Sequence, residues 1–464
     1  MLITLLVVRF TAAQWRWMPL LLASFFFYSL TGIEAFVLLL GSILFTYYNA
    51  QKIAESVNMT KRYRWLLVSV CGQILILGVF KYLGFFNGLM QGVNALLHRG
   101  PWNDWELLIL PLGISFYTFQ SMGYVFDVYY KIRKPEMHLG KYALFVSFFP
   151  QIQSGPIGRS KEMMPQWSNI ATPHFEDYRW AIQLFIWGLL KKFVVADRLG
   201  NYVDEVYAGA GSMGTWVWLF VLALYTVQLY ADFSAYSDMA IASAKMLGIR
   251  LPENFDFPYK AANITDFWRR WHLSLSGWLR DYIYTPLLFS KKKWKKWAVV
   301  YAIGITFVIC GIWHGANMTF VWFGVVQASI LIFELFTKEW RARQSERFGK
   351  LYHGLSVWMT FWVISFCFIL FRAEDMQQVM VVLKDLMHTD FVSFSNYIAE
   401  KNASRILGVL ALVVLFLGLN ERWDLRLRQT KWNSRQSIWA VSGMLVLLVI
   451  MGVFGKNDFI YFQF

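Results

Sequence analysis

Two histidines stand in settings where an imidazole can do chemistry. His314 lies in CGIWHGANMTF at 310–320, where the apolar run 297–313 ends and the next begins at about 317. Only Gly315 and Ala316 separate it from that second run, which Asn317 opens. An ionisable group in such a turn is at or within the membrane, where it is costly and usually lines a cavity or pathway. A desolvated imidazole stays neutral near pH 7, as a general base must. Gly311 and Gly315 suggest close backbone approach by a substrate, and Asn317 is placed to orient the imidazole or an oxyanion. The alternative is a structural histidine bonded to a neighbouring helix. His272 lies in FWRRWHLSLSGWLRDYIY at 267–284, a pattern that predicts an amphipathic helix carrying His272 on one face with Trp268, Leu275 and Leu279. One reading is a helix in the membrane interface. The other is a cytoplasmic mouth where Arg269, Arg270 and Arg280 meet phosphate.

The remaining chemistry-bearing residues point elsewhere. His98, His138, His174, His353 and His388 sit in polar loops, and Cys71, Cys310 and Cys367 sit in apolar runs as small core residues. No group has metal-ligand spacing, and no nucleophile-elbow or phosphate-loop motif occurs. Glu34, Lys81, Asp127, Asp232 and Glu334 fall at apparent membrane depth and read as structural.

The elements that must hold the two histidines are membrane helices. Of 464 residues 57% are apolar and 16% charged, against about 25% charged in ordinary globular chains. Apolar runs recur at 2–13, 17–31, 33–50, 65–83, 107–129, 180–196, 215–234, 297–313, 317–337, 355–371, 404–420 and 437–454, many near span length. The pattern predicts an all-α polytopic membrane protein of about 10–12 transmembrane helices in a single domain, 1–464. The N-terminus reads as a first helix rather than a signal peptide. Two stretches predict re-entrant or interfacial structure: 144–158, with Pro150, Gly155, Pro156 and Gly158, and 235–248, which is short and carries Asp238 and Lys245.

The 44 Lys and Arg against 29 Asp and Glu give a net charge of +15. The basic residues fall in alternate loops (Lys52 to Arg64, Lys131 to Lys141, 250–296, Lys338 to Lys350, Arg422 to Arg435), and the acids fall in the loops between, among them Asp104, Glu106, Asp197, Asp204 and Asp390. The positive-inside bias makes the first set cytoplasmic. Charges spread over one membrane face exclude a compact nucleic-acid site. The segment 250–296 holds ten Lys and Arg against four acids and is the expected donor-side segment. Its run at Lys291–Lys296 reads as a topology and lipid anchor.

The segments FVSFFPQIQSGPIGRS at 145–160, DFWRRWHLSLSGWLRDYIYTPL at 266–287, GIWHGANMTFVWFG at 311–324, FRAEDM at 371–376 and FIYFQF at 459–464 together resemble the membrane-bound O-acyltransferase family, in its bacterial alginate O-acetylation branch. A lysine run stands at 291–296 where a Gly-rich stretch is common. The resemblance implies a tunnel in the membrane, with the family's histidine matching His314 and a second site matching His272. It implies acyl transfer, most directly acetyl transfer, from a cytoplasmic acetyl-CoA or acyl-carrier-protein thioester towards an extracytoplasmic polysaccharide or a partner acyltransferase, at a bacterial cytoplasmic membrane. The expected site is His314 and His272, with Trp313, Asn317, Arg269, Arg270 and Arg280 binding the donor, and no resident cofactor or metal. The rival readings are D-alanyl transfer to teichoic acid and a transporter or flippase without acyl chemistry, against which the lack of an internal repeat counts.

Overall fold

The computed structural model describes residues 1–97, 110–389, 391–429, 433–455 and 458–460. His98, Asp104, Glu106, Asp390, Lys431 and the last four residues lie outside these. Among the described residues the chain is helical with no strand, as an all-α membrane protein should be. Residues 1–181 with 240–252 form one compact unit, and 182–239 with 253–464 a second.

In the first unit, α1 (Trp17–Ser29), α2 (Ile33–Glu55), α3 (Met59–Lys81), α4 (Ile114–Tyr129) and α5 (Leu139–Ser147) pack together. Several polar groups inside this bundle pair with one another. Gln73 of α3 donates to Ser42 of α2 at 2.9 Å, and Arg62 donates to the carbonyls of Val128 and Tyr129 at the end of α4. Asp127 accepts from Ser160 at 2.6 Å, so this buried carboxylate is structural, as expected. After Ser147 the chain leaves the helix and stays mostly buried through Ser160. Such backbone is tolerated at depth only inside protein. Gly113, at φ +69°, passes so close to the Ile152 carbonyl that a Cβ would collide with it.

The second unit takes up the chain within α6 (Phe175–Leu190), which runs through a π-turn at Lys191–Ala196 into α7 (Asp197–Ala208). The helix α8 (Thr215–Met246) follows, and its last turns belong to the first unit. The expected break at 235–248 is absent, because the charges that suggested it are paired. Lys191 reaches Asp238 at 2.8 Å and Asp177 reaches Lys245 at 2.7 Å. Lys192 lies between Asp197 and Asp232 at 2.9 and 2.8 Å and also donates to the Asp458 carbonyl, while Asp232 accepts from the Ile460 amide.

Two short helices, α9 (Ile264–Trp268) and α10 (Leu273–Leu279), lead to the long α11 (Lys296–His314), α12 (Met318–Phe336) and α13 (Lys338–Arg372). Gly349, at φ +52°, kinks α13. The chain continues through α14 (Ala403–Gln429) to α15 (Ser434–Met451). Among the described residues seven helices are long and apolar enough to cross a membrane: α2, α3, α8, α11, α12, α13 and residues Ala403–Asn420 of α14. The count is below the expected 10–12 because several apolar runs form shorter helices. Leu2–Phe10 has 9 residues, α1 has 13 and α4 has 16.

The helices α11 and α12 run antiparallel in backbone contact. A Cβ on Gly311 would strike the Phe320 carbonyl, and one on Gly324 would strike the Phe307 carbonyl. Small residues at such crossings let membrane helices approach closely. Substitution of either glycine by alanine is expected to lower the melting temperature of the purified protein, at a cost of about 1–3 kcal/mol for forcing the helices apart. Gly304, on the same helix with open space around it, is expected to tolerate alanine or gain up to about 1 kcal/mol from helix propensity.

Candidate active site

His314 is the last residue of α11 and is buried. Three aromatic rings surround it edge-on: Trp313 at 5.0 Å, Phe371 of α13 at 5.1 Å and Phe323 of α12 at 6.2 Å between centroids. Gly311 and Gly315 do not open the backbone to a substrate. Gly311 seats α12, and a Cβ on Gly315 would strike the ring of Phe320. Both ends of the Asn317 amide hold the local fold. Its oxygen caps α12 by accepting from the Thr319 amide, and its nitrogen donates to the Glu374 carbonyl at 2.5 Å.

His272 departs from the expected helix. Residues 269–272 form turns between α9 and α10, and His272 takes the left-handed conformation at φ +46°. Non-glycine residues rarely adopt this conformation, and its cost is usually offset by surrounding structure. Here Asn254 supplies the hold. Its carbonyl oxygen accepts from Ser274 Oγ at 2.6 Å, its backbone oxygen accepts from the Leu273 amide at 2.9 Å, and its Nδ2 donates to Ser237 of α8 at 3.0 Å. The ring of His272 is fully buried, with Phe233 of α8 at 4.7 Å and Trp313 at 5.9 Å. Trp313 thus stands against both imidazoles. Burial pushes the His272 pKa well below the ordinary imidazole value, and the nearby His314 pushes it the same way.

The second unit also holds a cavity of about 1010 Å³, whose lining includes neither imidazole. Four cations line it: Arg269, Arg280, Lys338 and Arg341. Its apolar wall includes Trp268, Phe307 and Leu331, and it reaches Leu273, the neighbour of His272, and Cys310, one turn before His314. Of the ten basic residues in 250–296, only Arg269 and Arg280 line the cavity. None of the lysines of the 291–296 run lines it, and two of them lie over aromatic rings, Lys291 over Trp294 at 4.9 Å and Lys296 over Phe336 at 4.1 Å. Arg270 is committed elsewhere, to Asp266 at 3.1 Å and Asp256 at 3.6 Å. Arg280 pairs with its exposed neighbour Asp281 at 2.8 Å.

Glu334, the acid in the cavity wall, has both oxygens occupied. They accept from the amides of Ile264 and Thr265 at 2.6 and 2.9 Å and from the Thr265 hydroxyl at 2.7 Å. A carboxylate at a helix N-terminus satisfies the free amides there and suits the helix dipole. Glu334 therefore fastens α9 to α12, as Gln327 does by accepting from the Trp268 indole at 3.0 Å. Asn254, Lys338, Arg341 and Phe233 were not legible as site residues, because their partners lie far away in sequence. Among the described residues no group of three or more His, Cys, Asp or Glu is arranged to hold a metal.

The profile of the membrane-bound O-acyltransferase family matches residues 35–374. The chain is 32% identical to the peptidoglycan O-acetyltransferase of Helicobacter pylori, covering 96% of this chain and 91% of the relative. It is 34% identical to the probable alginate O-acetylase AlgI of Pseudomonas aeruginosa, covering 90% and 79%. It is 31% identical to the teichoic acid D-alanyltransferase of Bacillus subtilis, covering 60% and 73%. The chain belongs to the membrane-bound O-acyltransferase family and is a multi-pass membrane acyltransferase.

The buried His272 has a consequence for pH. Its folded pKa lies below the unfolded value of about 6.5, so the unfolded chain binds a proton that the folded one refuses. The group's contribution to stability is therefore full above that unfolded value and is lost as pH falls below it. His272→Asn keeps a residue that tolerates the left-handed region. Melting curves from pH 7 to pH 5 are expected to show a shallower acid decline in H272N, by up to about 1.4 kcal/mol per pH unit.

Proposed function

We propose that this family member moves an acyl group, an acetyl group in the first instance, from a cytoplasmic thioester to hydroxyls of an extracytoplasmic polysaccharide or to a partner acyltransferase, across a bacterial cytoplasmic membrane. The observation that carries the reading is the cavity with four cations whose wall includes Leu273, next to His272, and Cys310, one turn before His314. Arg269, Arg280, Lys338 and Arg341 offer charge for the phosphate of acetyl-CoA or of an acylated carrier. Arg guanidinium is suited to bidentate phosphate contact. Arg270, held by two aspartates, contributes less.

His314 takes the proton of the attacking hydroxyl. The oxygen bonds to the thioester carbonyl carbon, the C–S bond breaks, and the thiolate recovers the proton as thiol. The same residue supports a two-step route in which its own nitrogen carries the acyl group before the acceptor oxygen displaces it. His272 and Trp313 position the thioester against it. The acceptor class follows the relatives, which are named for alginate, peptidoglycan and teichoic acid. Acetyl transfer is preferred over D-alanyl transfer because the two O-acetylating relatives align with 90% or more of this chain and the D-alanyl relative with 60%. A flippase would move its cargo without cleaving a thioester, and thioester consumption by the purified protein separates the two readings.

His314→Ala, inserted and folded, is expected to lose acyl transfer by about 10²–10⁴-fold; a wild-type rate there overturns the reading. The double variant R269A/R280A is expected to raise KM for the donor about tenfold or more with kcat little changed, since it removes ground-state binding and leaves the imidazoles in place.

A further inference from the structure

Thr306, Cys310 and His314 follow one another at four-residue intervals along α11 and so share one face. All three are buried, and the first two line the cavity. A threonine inside a helix commonly returns its hydroxyl to a backbone carbonyl four residues earlier. Thr46, Thr226 and Thr360 do this here at 2.7–2.8 Å. Thr306 does not: among the described residues its Oγ1 has no hydrogen-bond partner, although it is buried. A buried hydroxyl left unsatisfied is destabilising, and such groups in native structures commonly have a ligand or functional reason.

The position of Thr306 says which part of a ligand it meets. Because α11 and α12 are antiparallel, the cations Lys338 and Arg341, just past the end of α12, stand at the level of the start of α11. Thr306 lies between them and His314, two turns or about 12 Å from the latter along the axis. Cations, hydroxyl and imidazole thus come in the order phosphate, amide and thioester along a phosphopantetheine chain.

We propose that Thr306 is a donor-binding residue whose hydroxyl bonds an amide of the donor's thiol arm, so that the cavity selects thioesters of amide-bearing thiols over thioesters of plain alkanethiols. The inference rests on the cavity being the donor site. Cys310, Phe307 and Ile303 supply the apolar wall for the arm's methylenes.

The test is calorimetric binding of two unreactive mimics to the purified full-length protein. One is S-ethyl phosphopantetheine, and the other is an ethyl alkyl thioether phosphate of equal length without amides. Thr306→Val, which keeps the shape and removes the hydroxyl, is expected to weaken the first by about three- to tenfold and leave the second unchanged. Thr306→Ser is expected to restore wild-type binding of the first. Equal binding of the amide mimic by wild type and T306V, or equal weakening of both mimics, overturns the inference while leaving the donor site standing. Failure of both mimics to bind the wild type, or R269A/R280A binding both as well as wild type, overturns the donor-site reading itself.

Discussion

Gly311 rests against the carbonyl of Phe320, and Gly324 against that of Phe307, so α11 and α12 touch backbone to backbone where 307–311 meets 320–324. In lipid no hydrophobic force drives helices together, and close packing of this kind is a main source of their association. The contact sets where His314 stands, because His314 ends α11 one turn beyond Gly311. It also brings Phe323 and, through α13, Phe371 around the imidazole. The same face of α12 then carries Gln327 and Glu334, which hold the indole of Trp268 and the N-terminus of α9. The wall opposite the site thus follows from one helix pair.

Burial imposes a second constraint, that each ionised group inside the protein must be matched. The charges at apparent membrane depth meet it in distinct ways. Glu334 is spent on three donors of α9, Asp127 on Ser160, and Asp232 on Lys192 and the Ile460 amide. Removing one partner from such a site costs far more than the pair contributes. These groups therefore act as fasteners.

Much of this is legible in the sequence, and the rest is not for definite reasons. The apolar runs report membrane helices. The His314 turn is readable because an ionisable group between two spans is costly and stands there chiefly where a cavity or pathway needs it. The break expected at 235–248 does not form, because Asp238 and Lys245 find partners in Lys191 and Asp177, more than forty residues away. The helix expected through His272 does not form either. Its apolar spacing persists while the backbone turns, and the hold on that turn comes from Asn254 and Ser237. The dense basic segment 250–296 supplies two of the cavity's four cations, Arg269 and Arg280; the other two come from α13, and none of the lysines at 291–296 lines the cavity.

The nearness of the two imidazoles bears on the proton that acyl transfer must move. A charge on His314 lowers the proton affinity of His272, and burial lowers it further. Two imidazolium ions in one desolvated pocket repel each other, so charging both is disfavoured. In the proposed reaction, a proton held on His314 would disfavour one on His272. A neutral His272 can orient a thioester carbonyl without competing for that proton. The left-handed turn that Asn254 holds keeps this second ring against Trp313, within electrostatic reach of the first.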